Sequence, residues 1–155
     1  MTRIAGVLAG LAAVAFAAAF LAAGYGGARV VVRDAGGGEL AAADAGRGFA
    51  LAYRHSLHRA PAEERFELVD GGAFELVEVA SPSQAVLDYY ALDGTRKRAG
   101  GTWVLSPARR PQFRTLALAG TRVGRRTLVA GGERTPLWRP DGRVAHLRLT
   151  VEGGA

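Results

Sequence analysis

The sequence predicts an all-β domain, a single sandwich or open-barrel-like stack of short antiparallel strands, preceded by an N-terminal apolar helix. Three observations point there. Short β-branched or alternating segments recur along most of the chain. Gly, Pro and Asp-Gly pairs punctuate them at fairly even spacing. After the first two dozen residues, no long stretch keeps the apolar period of an amphipathic helix. At 155 residues there is room for one domain.

In chain order, residues 4–23 form an uncharged, almost wholly apolar run behind a lone Arg3. As a helix it is long enough to cross a hydrocarbon layer of ~30 Å. It equally fits an export signal, with Ala22 and Ala23 before Gly24. Residues 1–24 are therefore expected to be a signal or anchor segment, 25–27 a flexible glycine linker and 28–155 an extracytoplasmic β-domain. Ala28–Arg33 is β-branched and strand-like, and residues 34–38 turn into a short strand at Glu39–Asp44. Phe49, Leu51 and Tyr53 alternate with Ala50, Ala52 and Arg54, and Phe66 with Leu68 repeats the pattern. Asp70-Gly71-Gly72 signals a hairpin whose return strand is Ala73–Val79. Val86–Leu92 fits either a strand or a turn of helix, and Arg96–Gly101 reads as a polar loop. Thr102–Leu105, Thr115–Ala119, Thr127–Ala130 and Leu137–Trp138 are short strand candidates. Val144–Glu152 closes the series, with Ala145, Leu147, Leu149 and Val151 on one face and His146, Arg148 and Thr150 on the other.

The composition excludes several classes. With no cysteine there are no disulfides, no thiolate chemistry and no lipid-modified cysteine. The net charge is +6, and Lys97 is the single lysine among 20 basic residues. The arginines scatter through turns and strand exteriors without a basic helix or an aromatic-interleaved stripe, so nucleic-acid binding is not expected. The clusters Arg109, Arg110, Arg114 and Arg122, Arg125, Arg126 read as solvated strand ends. Trp103 and Trp138 read as core anchors, and Asp88-Tyr89-Tyr90 as a contact patch with half-buried rings.

The densest chemistry lies between Tyr53 and Phe66, where His55, Ser56, His58, Pro61, Glu63 and Glu64 fall between two alternating segments. His55 continues the Phe49/Leu51/Tyr53 stripe at its end. Pro61 fixes the returning chain. If the flanking strands pair, the loop folds back and brings one of the two carboxylates to His55. A Ser/His/Glu hydrolase needs a nucleophile and base within reach. However, His55 and Ser56 are adjacent on extended chain and point to opposite faces, and Ser56 lacks a Gly-x-Ser-x-Gly elbow. A zinc site from His55, His58 and Glu63 or Glu64 has no diagnostic spacing. A structural role weighs most: His55 paired to a carboxylate, Glu64 accepting from His55, Arg54 or Arg65, and Ser56 capping the turn. No catalytic set, metal or cofactor is expected.

The pattern His55-Ser56-x-x-x-x-Pro61-x-x-Glu64, preceded by Tyr53 and followed by Phe66, resembles the signature of a bacterial family catalogued as domain of unknown function eighteen-fifty. The resemblance is strongest over Phe49–Val79 and extends to the order of elements around the motif. It implies a small exported or membrane-anchored protein encoded beside TAXI-type tripartite (TRAP) transporters. The implied role is that of an accessory or binding module for organic-acid uptake, with a transporter membrane or solute-binding subunit as partner. The chain departs from the family after the third strand of this block, where Val79–Ala85 lacks the usual Gly-x-Gly, so no ligand contact of that loop carries over. The expected location is the cell membrane, with the domain extracytoplasmic, or outside after signal cleavage. The alternatives are a small extracytoplasmic hydrolase using His55 and Ser56, or a purely structural envelope protein.

Overall fold

A computed structural model describes residues 27–153. The signal or anchor segment expected over 1–24 lies outside the described residues. Among the described residues no helix is long and apolar enough to cross a membrane.

The chain forms β1 (Arg29–Asp34), β2 (Glu39–Asp44), β3 (Gly48–Arg54), β4 (Pro61–Val69), β5 (Ala73–Ser81), a short helix α1 (Gln84–Tyr89), β6 (Gly94–Ala99), β7 (Thr102–Pro107), β8 (Gln112–Phe113), β9 (Thr115–Gly120), β10 (Thr127–Ala130), β11 (Glu133–Pro136) and β12 (Ala145–Glu152). Strands β2-β1-β12-β9 make a four-stranded sheet. An eight-stranded sheet runs β11-β10-β3-β4-β5-β7-β6, with β8 paired to the first half of β5. Every strand pairing is antiparallel. Neither sheet closes on itself, and the all-β antiparallel architecture is the expected one, a sandwich or open-barrel-like stack without a closed barrel.

The apolar stripes explain the packing. Val30 and Val32 of β1 and Leu147 and Leu149 of β12 meet Phe49, Leu51, Phe66, Leu68, Phe74 and Leu76 of the large sheet in one buried cluster. Phe49 stacks on Phe66 at 5.0 Å, and Phe74 approaches both edge-on. Burying rings of this size dominates the stability of a domain without cross-links.

Three local expectations are corrected, and one open alternative is decided. Arg96–Gly101 is not a loop: Gly94–Ala99 is a strand, exposed throughout and rich in cations, which suits a sheet edge that must resist pairing with other chains. Gly100-Gly101, both at positive φ, form the two-residue turn that pairs Ala99 with Thr102. The pair Gly131-Gly132 does the same after β10. The return strand therefore starts at once, at Glu133, and ends before the expected Leu137–Trp138. Leu137 instead drops into the core, its N–H donating to the Arg126 carbonyl at 2.8 Å. Val86–Leu92 is resolved as helical at its start, with Val86 and Leu87 buried. Trp103 packs against the core rim beneath Arg98, whereas Trp138 lies half-buried outside the core cluster, under Arg125.

Candidate functional site

The registers of β3, β4 and β5 decide what the His-Ser block becomes. Along β4, Ala62, Phe66 and Leu68 are buried, and Glu64 shares their parity. Glu64 lies opposite Leu51 on one side and Val79 on the other, both fully buried. It is thus a carboxylate on the core-facing side of the large sheet, where a charge is tolerated only with partners. A register shift between Arg65 and Phe66 inserts one extra residue, Val77, into β5. That bulge keeps both Leu76 and Val79 directed inward.

Two side chains supply the partners, and a third, Tyr53, ties those two together. The Tyr90 hydroxyl, at the C-terminal end of α1, donates to Glu64 Oε1 at 2.5 Å. Arg126, just before β10, reaches Glu64 Oε2 at 3.3 Å. Its guanidinium also lies over the Tyr53 ring, 4.9 Å from the centroid. The Tyr53 and Tyr90 hydroxyls are hydrogen-bonded to each other. Because the Tyr90 proton is directed at the carboxylate, Tyr53 must be the donor of that pair. The four side chains close a circuit that runs from the Tyr53 hydroxyl through Tyr90 to Glu64, on to Arg126, and back over the Tyr53 ring. Burial pushes the Tyr53 hydroxyl up to about 12. Burial first, then the Glu64 charge, raises Tyr90 further. Both phenols stay protonated at any physiological pH, as donors must.

His55 follows β3 by one residue and is 6 % exposed. Its N–H donates to the Ala60 carbonyl at 2.9 Å, and its carbonyl accepts from Arg59 N–H at 2.8 Å. The loop 56–60 is thereby a single helical turn closed by Arg59 at φ 51°, in the left-handed region. His55 Nδ1 accepts the His58 N–H at 3.3 Å, which places the ring proton of the neutral imidazole on Nε2. The ring stacks with His58 at 5.0 Å and meets Tyr89 edge-on at 4.7 Å. Burial, then the neighbouring His58, lowers the His55 pKa below its ordinary value.

The expected meeting of His55 with the acidic pair does not occur. Among the described residues no hydrogen bond or ion pair joins His55 to Glu63 or Glu64. The reason is strand parity and length: β4 begins at Pro61, opposite Arg54, so both glutamates lie well inside the ladder, beyond the loop. Glu63 points to the outer face, where Arg65 bridges it to Glu78 at 2.9 and 2.8 Å. Ser56 is exposed, and among the described residues its hydroxyl has no hydrogen bond; the His55 imidazole takes the turn-capping role expected of it. Pro61 opens β4, the strand position where a missing N–H costs least. Its carbonyl accepts the hydroxyl of buried Ser81 at 2.8 Å, and Ser81 Oγ in turn accepts Ser83 N–H at 3.1 Å.

Sequence reasoning missed Tyr90, Arg126 and Ser81 as members of this corner. The parity of Glu64 with Phe66 and Leu68 was the signal for a buried carboxylate in need of a cation. Nothing local in the sequence marks Arg126, which arrives from 62 residues away. Among the described residues no cluster of three or more His, Asp or Glu side chains is arranged to hold a metal ion.

No curated protein and no solved structure matches the chain. A family model does match, over residues 49–137, and so takes in the whole corner just described: Tyr53, His55, Ser56, Pro61, Glu63 and Glu64, together with Ser81, Tyr90 and Arg126. The match runs far beyond the Phe49–Val79 block in which the resemblance was strongest and covers more than half of the chain. The chain therefore belongs to the family described as Domain of unknown function (DUF1850).

Proposed function

We propose that this protein is a membrane-associated, extracytoplasmic accessory module that binds another protein of a TAXI/TRAP-type organic-acid uptake system. One observation carries the non-catalytic part of this reading. Glu64 and His55 of the motif are engaged in structural bonds, and among the described residues Ser56 makes no hydrogen bond to a base. Glu64 is held by Tyr90 and Arg126, and His55 Nδ1 by the His58 backbone. Ser56 is exposed to solvent. The apolar run over residues 4–23 and the family resemblance support the compartment and the transporter partner. The hydrolase alternative draws no support from Ser56, whose hydroxyl makes no hydrogen bond among the described residues.

The test is affinity capture of the full-length chain from solubilised membranes, with a deletion strain assayed for organic-acid uptake. Co-isolation of a transporter membrane or solute-binding subunit, and slower uptake in the deletion strain, are the expected results. Recovery of neither subunit, together with unchanged uptake, overturns the proposal.

A further inference from the structure

The corner that buries Glu64 leaves an unusual outer surface. Leu57, Tyr89 and Val123 are 71 %, 66 % and 60 % exposed, three of the five large apolar side chains left so open among the described residues. They belong to three different segments that the fold brings to one end of the large sheet. Tyr89 is joined to the 55–60 loop through the His55 ring at 4.7 Å. The turn carrying Val123 is tied to the same strand end, because Arg54 N–H donates to the Gly124 carbonyl at 2.6 Å. Arg54, Arg59 and Arg122 lie on the same strand end, loop and turn, all exposed, and among the described residues none is in an ion pair. The carboxylates of the neighbouring elements are committed elsewhere: Glu63 to Arg65, Glu64 to Arg126 and Asp88 to Arg96.

We infer that Leu57, Tyr89 and Val123, together with Arg54, Arg59 and Arg122, are the docking surface for a protein partner that presents an apolar side chain among carboxylates. This rests on the binding-module reading above and names its face. Exposed apolar side chains and unpaired cations together require an occupant with buried apolar contact and negative charge. An anionic bilayer has the same chemistry, but position argues against it. Ala28 joins the fold beside the Gly48 end of β3, through the Ala45 N–H to Ala28 carbonyl bond and the Gly48 N–H to Ala45 carbonyl bond. The patch lies past Arg54, at the other end of that seven-residue strand, roughly 20 Å further on at ~3.3 Å per residue. In a domain tethered through residues 4–23, this is the end farther from the point of attachment.

The experiment is site-specific photocrosslinking in intact cells. The full-length chain carries p-benzoylphenylalanine in place of Leu57, of Val123, or of Ser106 on the exposed rim of β7 as a control, and cross-linked peptides are sequenced by mass spectrometry. The expected result is a cross-link from positions 57 and 123, but not 106, to a segment of one protein containing several Asp or Glu residues. Its yield should fall about tenfold in the Arg59→Glu/Arg122→Glu double variant. Cross-links from position 106 alone overturn this surface and leave the binding-module reading standing. Adducts only to lipid overturn the protein partner, and no protein adduct from any position overturns both. Far-UV circular dichroism of the double variant excludes loss of fold as the cause of a reduced yield.

Discussion

Glu64 is the residue whose removal tests the inner corner most directly. Its side chain is 15 % exposed and that of Arg126 is 22 % exposed, so the pair is mostly, not wholly, withdrawn from water. Glu64→Ala removes a charge-assisted hydrogen bond from Tyr90, worth about 1.5–3 kcal/mol when the acceptor is ionised. It also leaves Arg126 without its counter-charge. Breaking a fully buried pair costs about 3–5 kcal/mol, an exposed one under ~1 kcal/mol. The residual exposure here puts the ion-pair contribution near the lower figure. The two effects overlap in one carboxylate, so the expected total is about 2–3 kcal/mol, a large share of the ~5–15 kcal/mol that holds a domain of this kind together.

Urea titration followed by tryptophan fluorescence gives the answer directly: the midpoint should fall with an unchanged slope. Glu64→Gln keeps an acceptor for Tyr90 and loses the charge, so its cost should be smaller, near 1 kcal/mol. The cycle with Arg126→Leu separates the pair from its surroundings. The double variant should be more stable than the sum of the singles by about 1 kcal/mol or more. A Glu64→Ala loss below about 0.5 kcal/mol, or strict additivity in the cycle, would refute the claim that this carboxylate is an inward-facing group dependent on its partners.

Three further outcomes follow from the same geometry. Because burial and the nearby His58 hold the His55 pKa below its ordinary value of 6.5, the unfolded chain takes up that proton at a higher pH than the folded one. His55 therefore contributes stability that is fully present above about pH 6.5 and lost as the pH falls through its folded-state value. Urea midpoints measured from pH 7.5 to pH 5 should decline, and the decline should be shallower in His55→Phe; equal slopes would show that His55 is not the group responsible. Ser81→Ala removes a buried hydroxyl that both donates to Pro61 and accepts from Ser83, and should cost about 1–2 kcal/mol. Ser56→Ala, at an exposed hydroxyl with no bond among the described residues, should stay within about 0.5 kcal/mol by the same titration.

The class of fold and most strands were legible because β-structure writes itself locally. Alternation at Phe49–Tyr53, a β-branched run at Val30–Val32 and the 145/147/149 stripe each need only neighbours two residues apart to be read. The errors arose where a strand carries no apolar stripe. Gly94–Ala99 is polar at every position because it is an edge, and its partner, not its composition, makes it a strand. The site was legible only in part for a related reason. Its residue types gather in a fourteen-residue block, yet the contacts that define their roles come from strand parity and from two distant segments. Register assigns Glu63 to the outer ion pairs and Glu64 to the interior. Tyr90 and Arg126 then reach Glu64 from α1 and from the approach to β10. Sequence proximity suggested His55 as the carboxylate's partner; the ladder between them carries the glutamates past it.

The inner circuit and the outer surface are mechanically one object, because consecutive residues divide between them. Tyr90 points inward to Glu64 while Tyr89, its neighbour at the end of α1, stays outside against His55. Tyr53 likewise points inward two residues before His55 begins the loop that displays Leu57. A helix of six residues has little stability of its own, so its C-terminal end is fixed by the Tyr90 hydroxyl and by buried Val86 and Leu87. Tyr90→Phe keeps the ring packing and removes the bonds to Glu64 and Tyr53. If the clamp positions the outer corner, amide hydrogen exchange should then quicken by about tenfold at Tyr90 and also at His55 and Arg59, whose N–H groups close the 55–60 turn. Faster exchange confined to α1 would show that the loop holds its shape through its own backbone bonds alone, and that the buried carboxylate serves the helix without shaping the surface beside it.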